Sequence, residues 1–198
     1  MKKGLVVTLL VVVGLIGLFF LLFGGIYNKL VTAEESVSSA WAQVENVYQR
    51  RLDLVPNLVE TVKGYAAHEK ETLQGVVEAR ANASKMNITS DVINNPQAMA
   101  AFQQNQQALS SALSRLMVVV ERYPELRASQ NFLALQTQLE GTENRISVER
   151  RRFNEAARNF NTLSRVFPNN VIANMMGFEK KIYFEAEKGA EQAPQVQF

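Results

Sequence analysis

From Gly4 to Asn28 the chain carries no charged residue, and within that run Leu5 to Phe23 is Leu, Val, Ile and Phe interrupted only by Thr8, Gly14 and Gly17. As a helix these roughly 19 residues rise about 28 Å, the depth of one bilayer core. A secretory signal is the competing reading, because Lys2 and Lys3 make a basic start and Val31-Thr32-Ala33 mimics a small-residue cleavage site. The apolar region is longer than a typical signal and Ala33 lies well beyond its end, so an uncleaved single span over residues 1–28 is the expectation. A chain without cysteine offers no site for a lipidated anchor and no disulfide evidence of compartment. Lys2 and Lys3 precede the span and only Lys29 follows closely before Glu34 and Glu35, which favours an inside N-terminus and an outward domain.

Of 21 basic residues, Lys2, Lys3 and Lys29 flank the span, leaving 18 against 19 acidic ones beyond it. The soluble part is therefore close to neutral, and its one dense basic cluster, Arg150-Arg151-Arg152, follows an acid at Glu149. On a helix those arginines diverge, so no nucleic-acid face is expected.

Apolar residues at alternating three- and four-residue spacing predict three long helices. The first keeps Val37, Trp41, Val44, Tyr48, Val55, Leu58, Val62, Tyr65, Leu73 and Val76 near one seam, crosses Pro56 in phase, and is predicted to run from the span to about Lys85 as one rod. Pro56 removes a hydrogen bond to the carbonyl of Leu52, so a kink is expected there. The second opens with Asn95 as N-cap and Pro96 at the first helical position and ends at Pro124. The third starts near Ser129 and continues to Pro168; Gly141 within it is read as permitting a close helix approach. A short fourth helix is predicted around Val171 to Phe184, a flexible loop over Asn87 to Asn95, and a disordered tail over 189–198. The fold class is thus all-α: a transmembrane helix continuing into an antiparallel bundle of three long helices plus a short fourth, with the bundle domain spanning 29–188.

Thr142 and Glu149 fall on the apolar seam of the third helix. A buried carboxylate must be paired, and arginines of the first helix such as Arg51 are candidate partners, most simply as a register marker. His68 is the only histidine, so neither an HExxH site nor a multi-histidine metal site can form within one chain. His68 reads as a half-buried helix residue. With no cysteine nucleophile, phosphate-binding glycine loop or serine elbow, no catalytic residue, cofactor or metal is assigned.

The stretch Trp41-Ala42-Gln43-Val44, then Arg50-Arg51-Leu52-Asp53-Leu54-Val55-Pro56-Asn57-Leu58-Val59-Glu60-Thr61-Val62-Lys63-Gly64-Tyr65-Ala66, then His68-Glu69, closely resembles the signature of bacterial LemA family proteins. So do Glu121-Arg122-Tyr123-Pro124-Glu125-Leu126, Leu139-Glu140-Gly141-Thr142-Glu143-Asn144-Arg145-Ile146, Arg152-Phe153-Asn154 and Phe167-Pro168-Asn169-Asn170, in the family's order along nearly the whole chain. The resemblance implies a membrane-anchored helical bundle in the bacterial inner membrane and no established activity. Phe153 stands where the family often has tyrosine, so any role of a phenol there is lost.

The matching polar residues gather at the Pro56 kink and on the facing third helix. Asn57, Glu143, Asn144, Arg145 and Asn154 are expected to satisfy the freed Leu52 carbonyl and one another, either as a structural network or as a site for a partner's polar groups. The resulting expectation is a non-catalytic scaffold on a long stalk, self-associating or holding another membrane protein, with the lipid bilayer as its first partner. A ligand-sensing bundle and an accessory subunit of a membrane protease are the alternatives.

Overall fold

The computed structural model describes residues 2–85 and 90–185, which are mostly helical with no strand among them. The helices are α1 (Lys2–Tyr65), α2 (Lys70–Lys85), α3 (Pro96–Val120), α4 (Pro124–Arg127), α5 (Gln130–Arg165) and α6 (Asn169–Met175), with a 3-10 turn at Ser90–Ile93. The predicted tail over 189–198 lies outside the described residues.

With 64 residues, α1 is roughly 96 Å long. Its first part is an apolar window of mean hydropathy 3.1 with none of its residues buried in the protein. From Leu30 onward the same helix becomes one wall of a bundle. Leu30, Val37, Trp41, Val44, Leu52, Val55, Leu58 and Val62 are all buried, at the three- and four-residue spacing read from the sequence.

α5 runs antiparallel to α1, since Glu143 meets Arg51 while Phe153 meets Trp41. α3 runs parallel to α1, with Phe102 against Trp41 and Ser110 against Arg51. α2 lies antiparallel against both α1 and α3. Two apolar clusters result. The distal one joins Val55, Leu58 and Val62 to Leu109, Leu116 and Phe132. The proximal one is aromatic: the Trp41 ring lies 5.3 Å from Phe153, 5.7 Å from Phe102 and 5.8 Å from Phe184. Between them lies a polar layer in which the Arg51 guanidinium donates to Ser110 Oγ at 2.7 Å and pairs with Glu143 at 3.1 Å. Gln106 is buried in the same region with neither amide atom hydrogen-bonded.

The predicted rod to Lys85 is broken at Ala66–Glu69, where Glu69 N–H donates to the Ala66 carbonyl and the chain turns back as α2. Between Tyr65 and Leu73 the sequence offers no large apolar residue, so a straight continuation would have nothing to hold it to the bundle. Reversal instead buries Leu73, Val76 and Ala83 against α1 and α3. His68 sits in this turn and is exposed rather than half-buried.

α1 continues unbroken through Pro56. The Leu52 carbonyl that the proline frees accepts from Arg80 Nε at 2.8 Å, a partner supplied by α2 rather than by the expected residues on α5. Asn95 caps α3 as expected, its side chain accepting from Gln97 N–H and Ala98 N–H at 2.9 and 3.2 Å. The predicted loop Asn87–Asn95 is in part a turn of 3-10 helix with Val92 and Ile93 buried; residues 86–89 lie outside the described residues. Gly141 allows no close approach, for a Cβ there would meet nothing within 4 Å. The predicted fourth helix stops at Met175, and Gly177 at φ +76° turns the chain into an extended segment, 178–185.

Loss of the Arg80 guanidinium leaves a part-buried carbonyl without a donor, which costs roughly 1–3 kcal/mol. Arg80→Ala is expected to destabilise by that amount, and the penalty to shrink in a Pro56→Ala background, where the new N–H can reach the Leu52 carbonyl. A double-mutant cycle by thermal or urea unfolding measures the coupling; strictly additive effects would refute the assignment.

Two tyrosines give the fold an alkaline limit. Burial holds the Tyr48 phenol above the ordinary 10.0, partly offset by Arg150 and Arg51. Tyr123 is raised by donating its O–H to Glu69 at 3.0 Å across the α1–α2 turn. Both favour the neutral phenol, so the unfolded chain releases these protons first and the fold loses stability as pH rises past the ordinary tyrosine value. Unfolding midpoints from neutral to about pH 11 are expected to fall, and Tyr123→Phe to flatten part of that slope.

Candidate interaction site

The extended segment 178–185 packs beside the first turns of α3, in the half of the bundle nearest the apolar part of α1. It is held by two asparagines on α5. The Asn161 amide donates to the Lys181 carbonyl and accepts from Lys181 N–H, both at 2.8 Å. Asn154 does the same for Phe184, at 3.0 and 2.9 Å. The spacing explains why two such clamps act together. Seven helical residues rise about 10.5 Å and three extended residues span about 10 Å, so a heptad on α5 matches Lys181 to Phe184. Backbone groups that would be orphaned in an extended segment inside a helical bundle are thereby paired.

Side chains then fix the register. Phe184 fills the aromatic cluster of Trp41, Phe102 and Phe153, with Arg150 over its outer face at 4.7 Å. The Lys181 ammonium is buried and bonded to Glu34 at 2.7 Å and Asn94 at 3.1 Å, and it lies 5.1 Å from the Phe160 ring. A buried charge requires such partners. This one ties α1, the turn before α3, α5 and the segment at a single point. Ile182 N–H adds a backbone bond to the Ile93 carbonyl.

On the opposite side of the α1/α5 pair no element among the described residues covers the two helices. There Gln43, Asn46 and Arg50 of α1 and Asn144, Arg145 and Arg152 of α5 surround Val47, Gly141 and Val148 in an open groove of about 710 Å³. Further grooves lined by Ser36, Ser39, Glu149 and Arg152, and by Arg50, Gln138 and Arg145, continue it in both directions. Arg152 is paired with Glu149 at 3.0 Å, whereas Arg50 and Arg145 form no ion pair among the described residues. The groove therefore presents amides and uncompensated guanidinium groups, a surface able to bind carbonyl and carboxylate oxygens.

The residues singled out from sequence separate into different places. Arg51 and Glu143 meet, but Glu149 pairs within its own helix with Arg152, not with Arg51, because it faces the open groove. Pro56 and Asn57 are exposed, and Asn57 contributes only its carbonyl, to Thr61 Oγ1 at 2.8 Å. His68 is remote in the α1–α2 turn. Asn144 and Arg145 line the groove, and Asn154 clamps Phe184 on the far side. Sequence reasoning passed over Asn161, Lys181, Glu34 and Arg80. The Asn154/Asn161 heptad was visible as a pair of amides on one helix face; Lys181 gave no signal, because a lysine next to another lysine reads as surface. Among the described residues no group of three His, Asp or Glu side chains is placed to hold a metal ion.

Asn161→Asp keeps the acceptor for Lys181 N–H but sets an anion against its carbonyl. It is expected to release 178–185 and to cost roughly 1–3 kcal/mol, with limited proteolysis after Gly177 as the direct readout. Cleavage no faster than in the unaltered protein would contradict the clamp.

The model of the LemA family matches residues 40–198, leaving the apolar part of α1 outside the match. Magnetosome protein MamQ of Magnetospirillum gryphiswaldense is 28% identical over 184 residues, covering 85% of this chain and 67% of that protein. Protein LemA of Metamycoplasma hominis is 24% identical over 175 residues, covering 87% of this chain and 75% of its own length. The family's model takes in all of the bundle from Ala40, both asparagine clamps and both walls of the groove, and the chain belongs to the LemA family.

Proposed function

We propose that this protein is a single-pass scaffold of the bacterial inner membrane that acts by binding rather than turnover, with its bundle on the outer, periplasmic side. The observation that carries the reading is the α1/α5 groove, which no element among the described residues covers. The heptad seams are consumed inside one chain, since Trp41, Val55, Leu58 and Phe153 are buried. Assembly therefore has the groove and the apolar helix to work with, not a free coiled-coil seam. Arg50 and Arg145 favour an acidic or carbonyl-rich segment, either on another copy of the chain or on a second membrane protein.

Retention of the apolar segment is supported by its packing. Leu30 is buried and Phe23 and Ile26 pack against α6, so cleavage at Ala33 would sever a helix that the bundle uses. Tyr27 contacts the Phe178 ring at 6.1 Å, tying the end of the span to the extended segment. No free stalk separates the two parts.

Native mass in mild detergent is the test, comparing the full chain, a chain starting at Lys29, and Arg50→Glu with Arg145→Glu in the full chain. A discrete oligomer is expected from the full chain, with loss of assembly in the double variant at unchanged helicity. A monomer in every case would end the self-assembly reading and direct attention to a heterologous partner.

A further inference from the structure

Beyond the unburied run at its N-terminus, the described part of the chain exposes ten large apolar side chains, and five of them lie between 166 and 176. These are Val166, Phe167, Val171, Met175 and Met176, with Phe167 at 82% exposure. The other five, Val31, Tyr65, Val77, Val118 and Leu133, are scattered along the bundle, as single exposed apolar residues ordinarily are. A contiguous apolar patch marks something that covers it.

The position of this patch identifies the cover. α6 buries Ile172 and Ala173 against Leu30, with Phe23 and Ile26 packed on the same cluster. Phe23 closes the apolar run, and Leu30 lies about 10 Å further along the same helix. The turn after α5 and the whole of α6 are thus at the height where a bilayer core gives way to headgroups. Val171 and Met175, one turn apart, point away from the face that packs on α1. Lys29, Arg165 and Lys180 are exposed at the same level, suited to lipid phosphates.

We propose that residues 166–176 form a foot lying in the membrane interface, with Phe167, Val171 and Met175 in the acyl boundary and the nearby cations among the headgroups. This rests on the reading of α1 as a membrane span. A span alone leaves a protein free to rotate and tilt, whereas a second interfacial contact beside it fixes how the bundle stands on the bilayer. The groove would then face a constant direction along the membrane.

The absence of native cysteine makes single-site labelling direct. Full-length protein carrying an environment-sensitive fluorophore at Leu15→Cys, Phe167→Cys, Met175→Cys or Val118→Cys is reconstituted into vesicles of phosphatidylethanolamine and phosphatidylglycerol. Quenching by lipids brominated at different depths is compared with quenching by aqueous iodide. The expected result is a blue-shifted, lipid-quenched signal at 15, shallow lipid quenching with loss of iodide access at 167 and 175, and quenching by iodide alone at 118. If 15 is quenched by lipid while 167 and 175 behave like 118, the foot is wrong and the span stands. If 15 is itself open to iodide, the span has failed and the foot fails with it.

Discussion

α1 runs as one helix from Lys2 to Tyr65, and the backbone hydrogen bond it gives up at Pro56 does not end it. Everything else is arranged around that continuous rod. Its first third touches no core, and the rest supplies one wall to all three apolar clusters. Even the weakest point, Pro56, is bridged by Arg80 donating to the carbonyl left open. Because α5 pairs with α1 over most of the bundle, the remaining elements have only one face of that pair to cover, and the other face stays open as the groove.

The covered face is completed in two ways. Distally α3, backed by α2, contributes aliphatic side chains. Proximally the first turns of α3 contribute Met99 and Phe102, and an extended segment adds Phe184 to the same aromatic set. Extended backbone within a helical bundle is tolerated only if its polar groups are paired. Asn154 and Asn161 provide that pairing in a sequence-independent way, leaving Phe184 and Lys181 to fix the register through shape and charge.

Helical periodicity made the long elements legible, and it did so because one face of each is buried: the seam from Val37 to Val62, the cap at Asn95-Pro96, and Phe132 to Phe160 are where spacing placed them. The α1–α2 reversal was not legible, because its only local mark is a lack of large apolar residues rather than a strong breaker. The extended segment was misread since Phe178, Ile182 and Phe184 have spacing compatible with either helix or strand. Pairings failed for a related reason. Periodicity places a residue on a face but says nothing about which of several arginines lies opposite, so Arg51 stood among the candidate partners of Glu149 while Glu143 in fact takes it. Long-range partners such as Lys181 with Glu34, 147 residues apart, leave no periodic trace at all.

The clamp on 178–185 also has a consequence for the order of events during synthesis. α1 leaves the ribosome first, while the rest of the chain is still being made. The aromatic half of the core beside it, however, lacks Phe184 and the Lys181 tie until translation has passed Glu185. The aromatic half of the core is therefore the last to become solid. The buried residues of the distal cluster are all made by Phe132, and those of the small cluster of Leu30, Ile172 and Ala173 by Ala173, both before the aromatic half is complete.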